Sequence, residues 1–179
     1  MMTDSQTLAC ACGQVKMRLA GPPVASVECL CTSCRAAAQI LQTLPGSPLI
    51  VDDKGATALV IQRKDRVEIV SGAQSLRQFR LSPGAPTRRV VASCCNTPVF
   101  LEFTGGHWLS FYTGLWPERA RPPVEMRTMT GDLEDPSVLP DDVPNLKRHS
   151  LRFYALLLGA WIRMRFRNPK FSVEGELNV

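Results

Sequence analysis

No run of apolar residues in this 179-residue chain approaches the about 20 that a membrane-spanning helix needs. No membrane-spanning helix is therefore expected within these residues. The first residues, Met1-Met2-Thr3-Asp4-Ser5-Gln6, are polar and lack a basic stretch followed by an apolar run, so no secretory signal is expected and the expected compartment is the reducing cytoplasm. Aromatic residues make up 7%, and no lysine-rich or stacked-aromatic motif points to nucleic acid specifically. The charge excess is small. Twenty-one Lys and Arg against sixteen Asp and Glu give +5, a bias that favours anionic partners without identifying one. With 45% apolar and 21% charged residues the composition is that of a globular domain rather than a disordered chain. The length suffices for a core that needs no disulfides.

What the chain does hold is cysteine, seven in all, three of them within Cys29-Leu30-Cys31-Thr32-Ser33-Cys34-Arg35. Thiolate sulfur binds zinc at about 2.3 Å in a tetrahedral shell, and the spacing C-x-C-x-x-C can aim three sulfurs at one point. Three protein ligands leave a corner for water or substrate, the arrangement of reactive zinc. Two other readings stand beside metal binding: thiols packed as small apolar groups, and disulfides in an oxidising compartment.

The flanking sequence is mostly strand-like. Cys10-Ala11-Cys12-Gly13 runs into Gln14 to Leu19, where polar and apolar residues alternate, as in a half-buried strand. Val24 to Val27 reads as a further extended piece, and Arg35 to Gln42 as a short helix capped by Thr32 or Ser33. Between Pro45 and Phe103, strands are expected at Leu49 to Val51, Ala58 to Ile61, Val67 to Val70, Leu76 to Phe79, Arg89 to Ala92 and Val99 to Phe103, forming an antiparallel β-rich body. Cys94-Cys95 falls in a turn. His107 to Tyr112 is another candidate strand, with His107 expected to pack or hydrogen-bond rather than bind metal. The proline-rich stretch Pro117 to Pro144 reads as loop, with one strand at Val124 to Met129. Leu151 to Arg167 reads as a helix, apolar over Phe153 to Ile162 and then carrying Arg163, Arg165 and Arg167. It should pack on the body or self-associate, and a basic amphipathic helix on a membrane surface is the alternative. The expected organisation is a zinc-binding β domain over 1–148 and a helical extension over 149–179.

Three separated pieces resemble the glutathione-dependent formaldehyde-activating enzymes and their relatives, which include centromere-protein-V-like domains. They are Cys10 to Gly13; Cys29 to Arg35; and Leu76, Phe79 and Ser82-Pro83-Gly84 with the later Cys95-Asn96-Thr97-Pro98. Gly131-Asp132-Leu133-Glu134-Asp135-Pro136 looks like a weaker fourth. The resemblance implies a mainly β fold of folded-over antiparallel sheets, β-tent-like, with two zinc sites. In that pattern Cys10, Cys12, Cys94 and Cys95 hold a structural zinc, and Cys29, Cys31 and Cys34 hold the reactive one. The similar enzymes would normally have a cysteine at position 92, where this chain has Ala92, and often a polar residue at Leu30. Two vicinal thiols such as Cys94 and Cys95 share an ion only if the turn is sharply bent.

Two functions follow as expectations. One is a zinc-dependent carbon–sulfur lyase-like protein of the S-(hydroxymethyl)glutathione synthase kind, acting on a glutathione-type thiol adduct of an aldehyde such as formaldehyde, with Cys29, Cys31 and Cys34 at the reactive centre. Arg35, or the pair Arg88 and Arg89, are candidates to meet a substrate carboxylate. The other is a non-catalytic zinc module that engages a membrane or protein partner through its basic C-terminal helix.

Overall fold

The computed structural model describes residues 5–179. Ten strands form two sheets. Strands β1 (Ser5–Ala9), β2 (Lys16–Ala20) and β5 (Val67–Ser71) make a small antiparallel sheet in the order β1-β2-β5. The larger sheet holds β3 (Ala25–Cys29), β4 (Thr57–Arg63), β6 (Leu76–Phe79), β7 (Thr87–Ala92), β8 (Thr97–Phe103), β9 (Trp108–Tyr112) and β10 (Met126–Thr128), in the order β10-β3-β4-β9-β8-β7-β6. Helices α1 (Thr32–Leu41) and α2 (Leu151–Arg163) complete the fold, which is mainly β as expected. One pairing departs from the antiparallel expectation, because β10 returns through the proline-rich loops to lie parallel to β3.

Alternation along the strands decides which layer each face meets. In β2, Met17 and Leu19 turn inward while Lys16 and Arg18 meet water. The central strands β4 and β8 are buried on both faces and read as nearly continuous apolar runs. Val60, Phe100 and Phe111 face the small sheet and close a core with Leu8, Met17 and Leu19. Leu59, Ile61, Leu101 and Tyr112 belong to the core on the other side, under Phe153 and Leu157 of α2. The large sheet is thus sandwiched between the small sheet and α2.

Several expected boundaries moved for identifiable reasons. Leu49 to Val51 does not form a strand, because the Gln42 side-chain oxygen accepts from the Ile50 and Val51 amides, at 2.9 and 3.3 Å, and occupies the donors a ladder would use. Helix α2 starts as expected behind Ser150, whose hydroxyl accepts from the Phe153 amide. It ends at Arg163 rather than Arg167, since Arg165 and Phe166 take left-handed backbone angles, φ +54° and +58°, and Phe166 folds back edge-on to Trp161. The remaining tail lies along the outer strand β6, where the Leu177 amide donates to the Gln78 carbonyl at 2.7 Å. It covers part of an edge that would otherwise be open to pairing.

One buried ion cluster ties this architecture together. Glu102 on β8 meets both Lys64 and Arg88, and all three side chains are nearly enclosed. Arg88 Nε donates to Glu102 at 2.6 Å. Removing the carboxylate leaves two cations without a charge partner in the interior, which typically costs about 3–5 kcal/mol. Glu102→Ala should therefore lower the melting temperature by about 10 °C in a chain of this size, as read by thermal denaturation, whereas Glu68→Ala, at the exposed Arg18–Glu68 pair, should move it by no more than about 2 °C.

Candidate metal centres

All seven cysteines are reduced and lie in two groups. The first unites Cys10, Cys12, Cys94 and Cys95, the second Cys29, Cys31 and Cys34, and within each group the sulfurs lie within 4.8 Å of one another.

The first group joins the β1–β2 hairpin to the β7–β8 turn. After Cys12 the chain reverses through Gly13, at φ +76°, whose amide donates to the Cys10 carbonyl at 2.8 Å. The Val15 amide donates to Cys10 Sγ at 3.3 Å. Across the gap, β7 ends at Ala92, so Cys94 and Cys95 sit in the turn and not on a strand. That turn is sharply bent, with the Cys95 amide donating to the Ala92 carbonyl and Asn96 at φ +53°. The bend brings both vicinal thiols to one point, while Ala92 itself is buried in the core. Four of the six sulfur separations run from 3.3 Å for Cys12–Cys94 to 3.9 Å for Cys94–Cys95, and all six lie within 4.8 Å. Tetrahedral thiolate ligands at about 2.3 Å from a metal stand about 3.8 Å apart, so the donor set fits a four-sulfur ion site. Electrostatics favours the same conclusion. Burial pushes Cys10 up; Cys94, exposed at the rim, is raised well above the ordinary thiol range by the partial desolvation of its sulfur against the group and then by its hydrogen bonds with Cys12 and Cys10. Burial also opposes ionisation of Cys95, but the Thr97 hydroxyl and the Cys12 amide bring it down to about 6. A cation at the centre of the group would favour the thiolate forms of Cys10 and Cys94 against these shifts.

The second group sits where β3 hands over to α1. Cys31, not Thr32 or Ser33, caps the helix: its sulfur accepts from the Cys34 amide at 3.3 Å. Asp132, in the segment that looked like a weak motif, accepts from the Thr32 amide and hydroxyl at 2.9 and 3.2 Å, and its carbonyl accepts from Arg35 at 2.6 Å. That loop therefore braces the start of α1. Hydrogen bonds from Cys29 and then Cys34 hold the Cys31 thiol far below its ordinary value. The bond to Cys31 raises Cys29 to about 11, and Cys29 and Cys31 together push Cys34 up. One negative charge is shared among three sulfurs.

Unlike the first group, this one opens into a cavity of about 650 Å³ lined by all three cysteines. Its floor comes from the residue row Ile61–Ser110–Leu101–Arg89 across β4, β9, β8 and β7. A serine in the middle of that row leaves the space. The roof is α2, through Phe153, Tyr154 and Leu157. Among the arginines singled out in the sequence, only Arg89 faces the cavity. Arg35 is engaged by the Asp132 carbonyl and Arg88 by Glu102. Arg89 is 1% exposed and donates to the Ser33 carbonyl at 2.9 Å. Among the described residues its Nε has no partner and no carboxylate lies within 4.0 Å. A buried cation without an acid beside it complements a cluster of thiolates. Tyr112 lies close by, its phenol pushed far up by burial, with the Arg89 charge acting against that shift.

Sequence reading passed over His149, which lines the cavity and packs edge-on to Phe153 at 4.6 Å. Its position in a loop just ahead of α2 carried no spacing signal. His107, expected to hydrogen-bond, donates from Nε2 to the Leu157 carbonyl at 2.8 Å and stacks on Trp161 at 5.3 Å. Leu30 is fully buried and packs with Ala56 and Leu139, away from the cavity. Among the described residues no helix is long and apolar enough to cross a membrane.

No curated protein matches the sequence. Among solved structures, the crystal structure of a Rhodobacter sphaeroides protein is similar at 13% identity, with a TM-score of 0.46, over 66% of this chain and 97% of the other. A family model described as "Family of unknown function (DUF6151)" matches residues 2–114, a span that contains every cysteine and stops before α2. By that match the chain belongs to this family.

Proposed function

We propose that the two cysteine groups bind zinc with different purposes: the four-sulfur group holds the fold, and the three-sulfur group serves carbon–sulfur chemistry on the adduct of a thiol with an aldehyde. The observation that carries this reading is the contrast between the groups. One is complete with four sulfurs, whereas the other presents three sulfurs to a cavity large enough for a substrate. All-sulfur donor sets suit zinc among the common divalent ions. A zinc ion at Cys29, Cys31 and Cys34 would supply Lewis acidity and lower the pKa of an incoming thiol.

The chain's own groups account for the rest. Arg89 adds positive charge beside the thiolates, the cavity lining is largely apolar, and the α1 N-terminus favours the ionised form of Cys31. Joining thiol to aldehyde forms one C–S bond and moves the S–H proton to the carbonyl oxygen; lysis is the reverse, and neither direction requires an oxidant. The resemblance to formaldehyde-activating enzymes makes glutathione with formaldehyde the reference pair of the assay, against which other thiols are compared.

The test is metal content per chain on protein purified without added metal. Two zinc ions should fall to one in Cys31→Ser, and that variant should lose acceleration of adduct exchange in a nuclear magnetic resonance assay while keeping its fold. One zinc that survives the substitution would remove the reactive centre from the scheme.

A second reading is favoured by α2, on which Leu151, Leu158 and Ile162 are 88%, 51% and 53% exposed, and by the turn after it, where Phe166 is 60% exposed; Arg152, Arg163 and Arg167 belong to the same stretch of chain. In this reading the helix docks on an acidic membrane or partner. Leu158→Glu with Ile162→Glu lies outside the cavity lining, so loss of docking with unchanged thiol chemistry would separate the two.

A further inference from the structure

The walls of the cavity say more than its cysteines. Ile61, Leu101, Trp108, Phe153 and Leu157 are among the apolar side chains that line it beside the three sulfurs. Apart from those sulfurs, and among the described residues, Arg89 is the one permanent charge in the lining; His149, Tyr154 and the hydroxyls of serine and threonine supply the other polar side-chain groups, and no Lys, Asp or Glu lines it. Arg89 is sealed against the Ser33 carbonyl and beside the thiol cluster. A peptide thiol such as glutathione brings two carboxylates and an ammonium group, and against these walls most of that charge would be desolvated without a partner. An alkyl or aryl thiol presents one polar atom to the sulfurs and apolar surface to everything else. A volume of about 650 Å³ is also that of a drug-sized ligand site, far beyond the needs of a one-carbon aldehyde. The wall supplied by α2 lies outside the residues that the family model matches, whereas Ile61, Leu101, Trp108 and Ser110 lie within them.

We infer that the cavity between Cys29, Cys31 and Cys34 and helix α2 binds a thiol carrying an extended apolar substituent, with the sulfur at the cysteine cluster and the substituent under Phe153 and Leu157. This deepens the reading of that cluster as a thiol site and rests on it for the placement of the sulfur.

The experiment is isothermal titration of the purified full chain, under argon, with ethanethiol, butanethiol, hexanethiol and glutathione. Each methylene moved from water onto apolar walls should tighten binding about threefold to fourfold, or about 100-fold from ethanethiol to hexanethiol. Glutathione should bind more weakly than butanethiol. Ser110→Leu fills the middle of the floor, and should weaken hexanethiol at least about tenfold while leaving ethanethiol unchanged. A flat series, or glutathione as the tightest ligand, overturns the inference, and the wild-type series alone decides this if Ser110→Leu does not fold. Cobalt-loaded protein separates the two levels of the argument. If hexanethiol binds with the expected chain-length dependence but leaves the cobalt–thiolate absorption unchanged, the apolar site stands and sulfur coordination at the cluster falls.

Discussion

Cys94→Ser should lower the melting temperature by about 10 °C and remove one metal ion per chain. Without a metal the substitution ought to be nearly silent. Cys94 is exposed, serine differs from cysteine by one atom, and surface changes away from special features usually stay within about 0.5 kcal/mol. With a metal the thiolate is one of four ligands pinning the β1–β2 hairpin to the β7–β8 turn, and structural zinc contributes about 10–16 kcal/mol in small zinc domains. Losing even about 3 kcal/mol of that corresponds to roughly 6–12 °C at this chain length. The check is differential scanning calorimetry with metal analysis. A chelator should lower the wild type by more than it lowers the variant, which has already lost the four-sulfur ion. Equal melting temperatures for wild type and variant would mean that the four thiols are merely packed together.

Metal affinity at the central cluster should rise about 100-fold for each unit of pH between 6 and 8. The sign follows from the protons that must leave. Near neutral pH, Cys31 is already a thiolate, its pKa held far down by Cys29 and Cys34, so it gives up no proton when an ion binds. Cys29, raised to about 11 by its bond to Cys31, and Cys34, raised by both neighbours, still hold theirs. A cation bound by three thiolates displaces two protons. Lower pH favours the protonated cluster and release of the ion; higher pH favours binding. Competition against a chromophoric chelator, taken as the difference between wild type and Cys31→Ser, measures the slope. A slope of three protons would show Cys31 protonated in the metal-free cluster, and a slope near zero would show that these thiols do not take up the ion.

Local pattern reached a long way into the fold. Alternation announced β2, because a pleated backbone sends successive side chains to opposite faces whatever surrounds them, and short strand-like runs between turn residues announced β4, β5 and β8. It failed where a distant group took over local backbone. Gln42 drew the amides of Ile50 and Val51 away from any strand. The short β1 pairs with β2 but carries little pattern of its own.

The cysteine groups divide in the same way. The sequence by itself largely determined the central one, since C-x-C-x-x-C at the entry to a helix gathers three sulfurs through one local turn of the backbone. Only the tertiary structure decided that Cys94 belongs with Cys10 and Cys12, because pairing β7 with β8 shapes the turn that swings both vicinal thiols to one side. The apolar cavity is likewise a tertiary product. Ile61, Ser110, Leu101 and Arg89 come into one row through the register of four strands, and α2 becomes its roof only by crossing the sheet. Contacts between residues far apart in the chain depend on how the elements pack, and no spacing along the sequence encodes them.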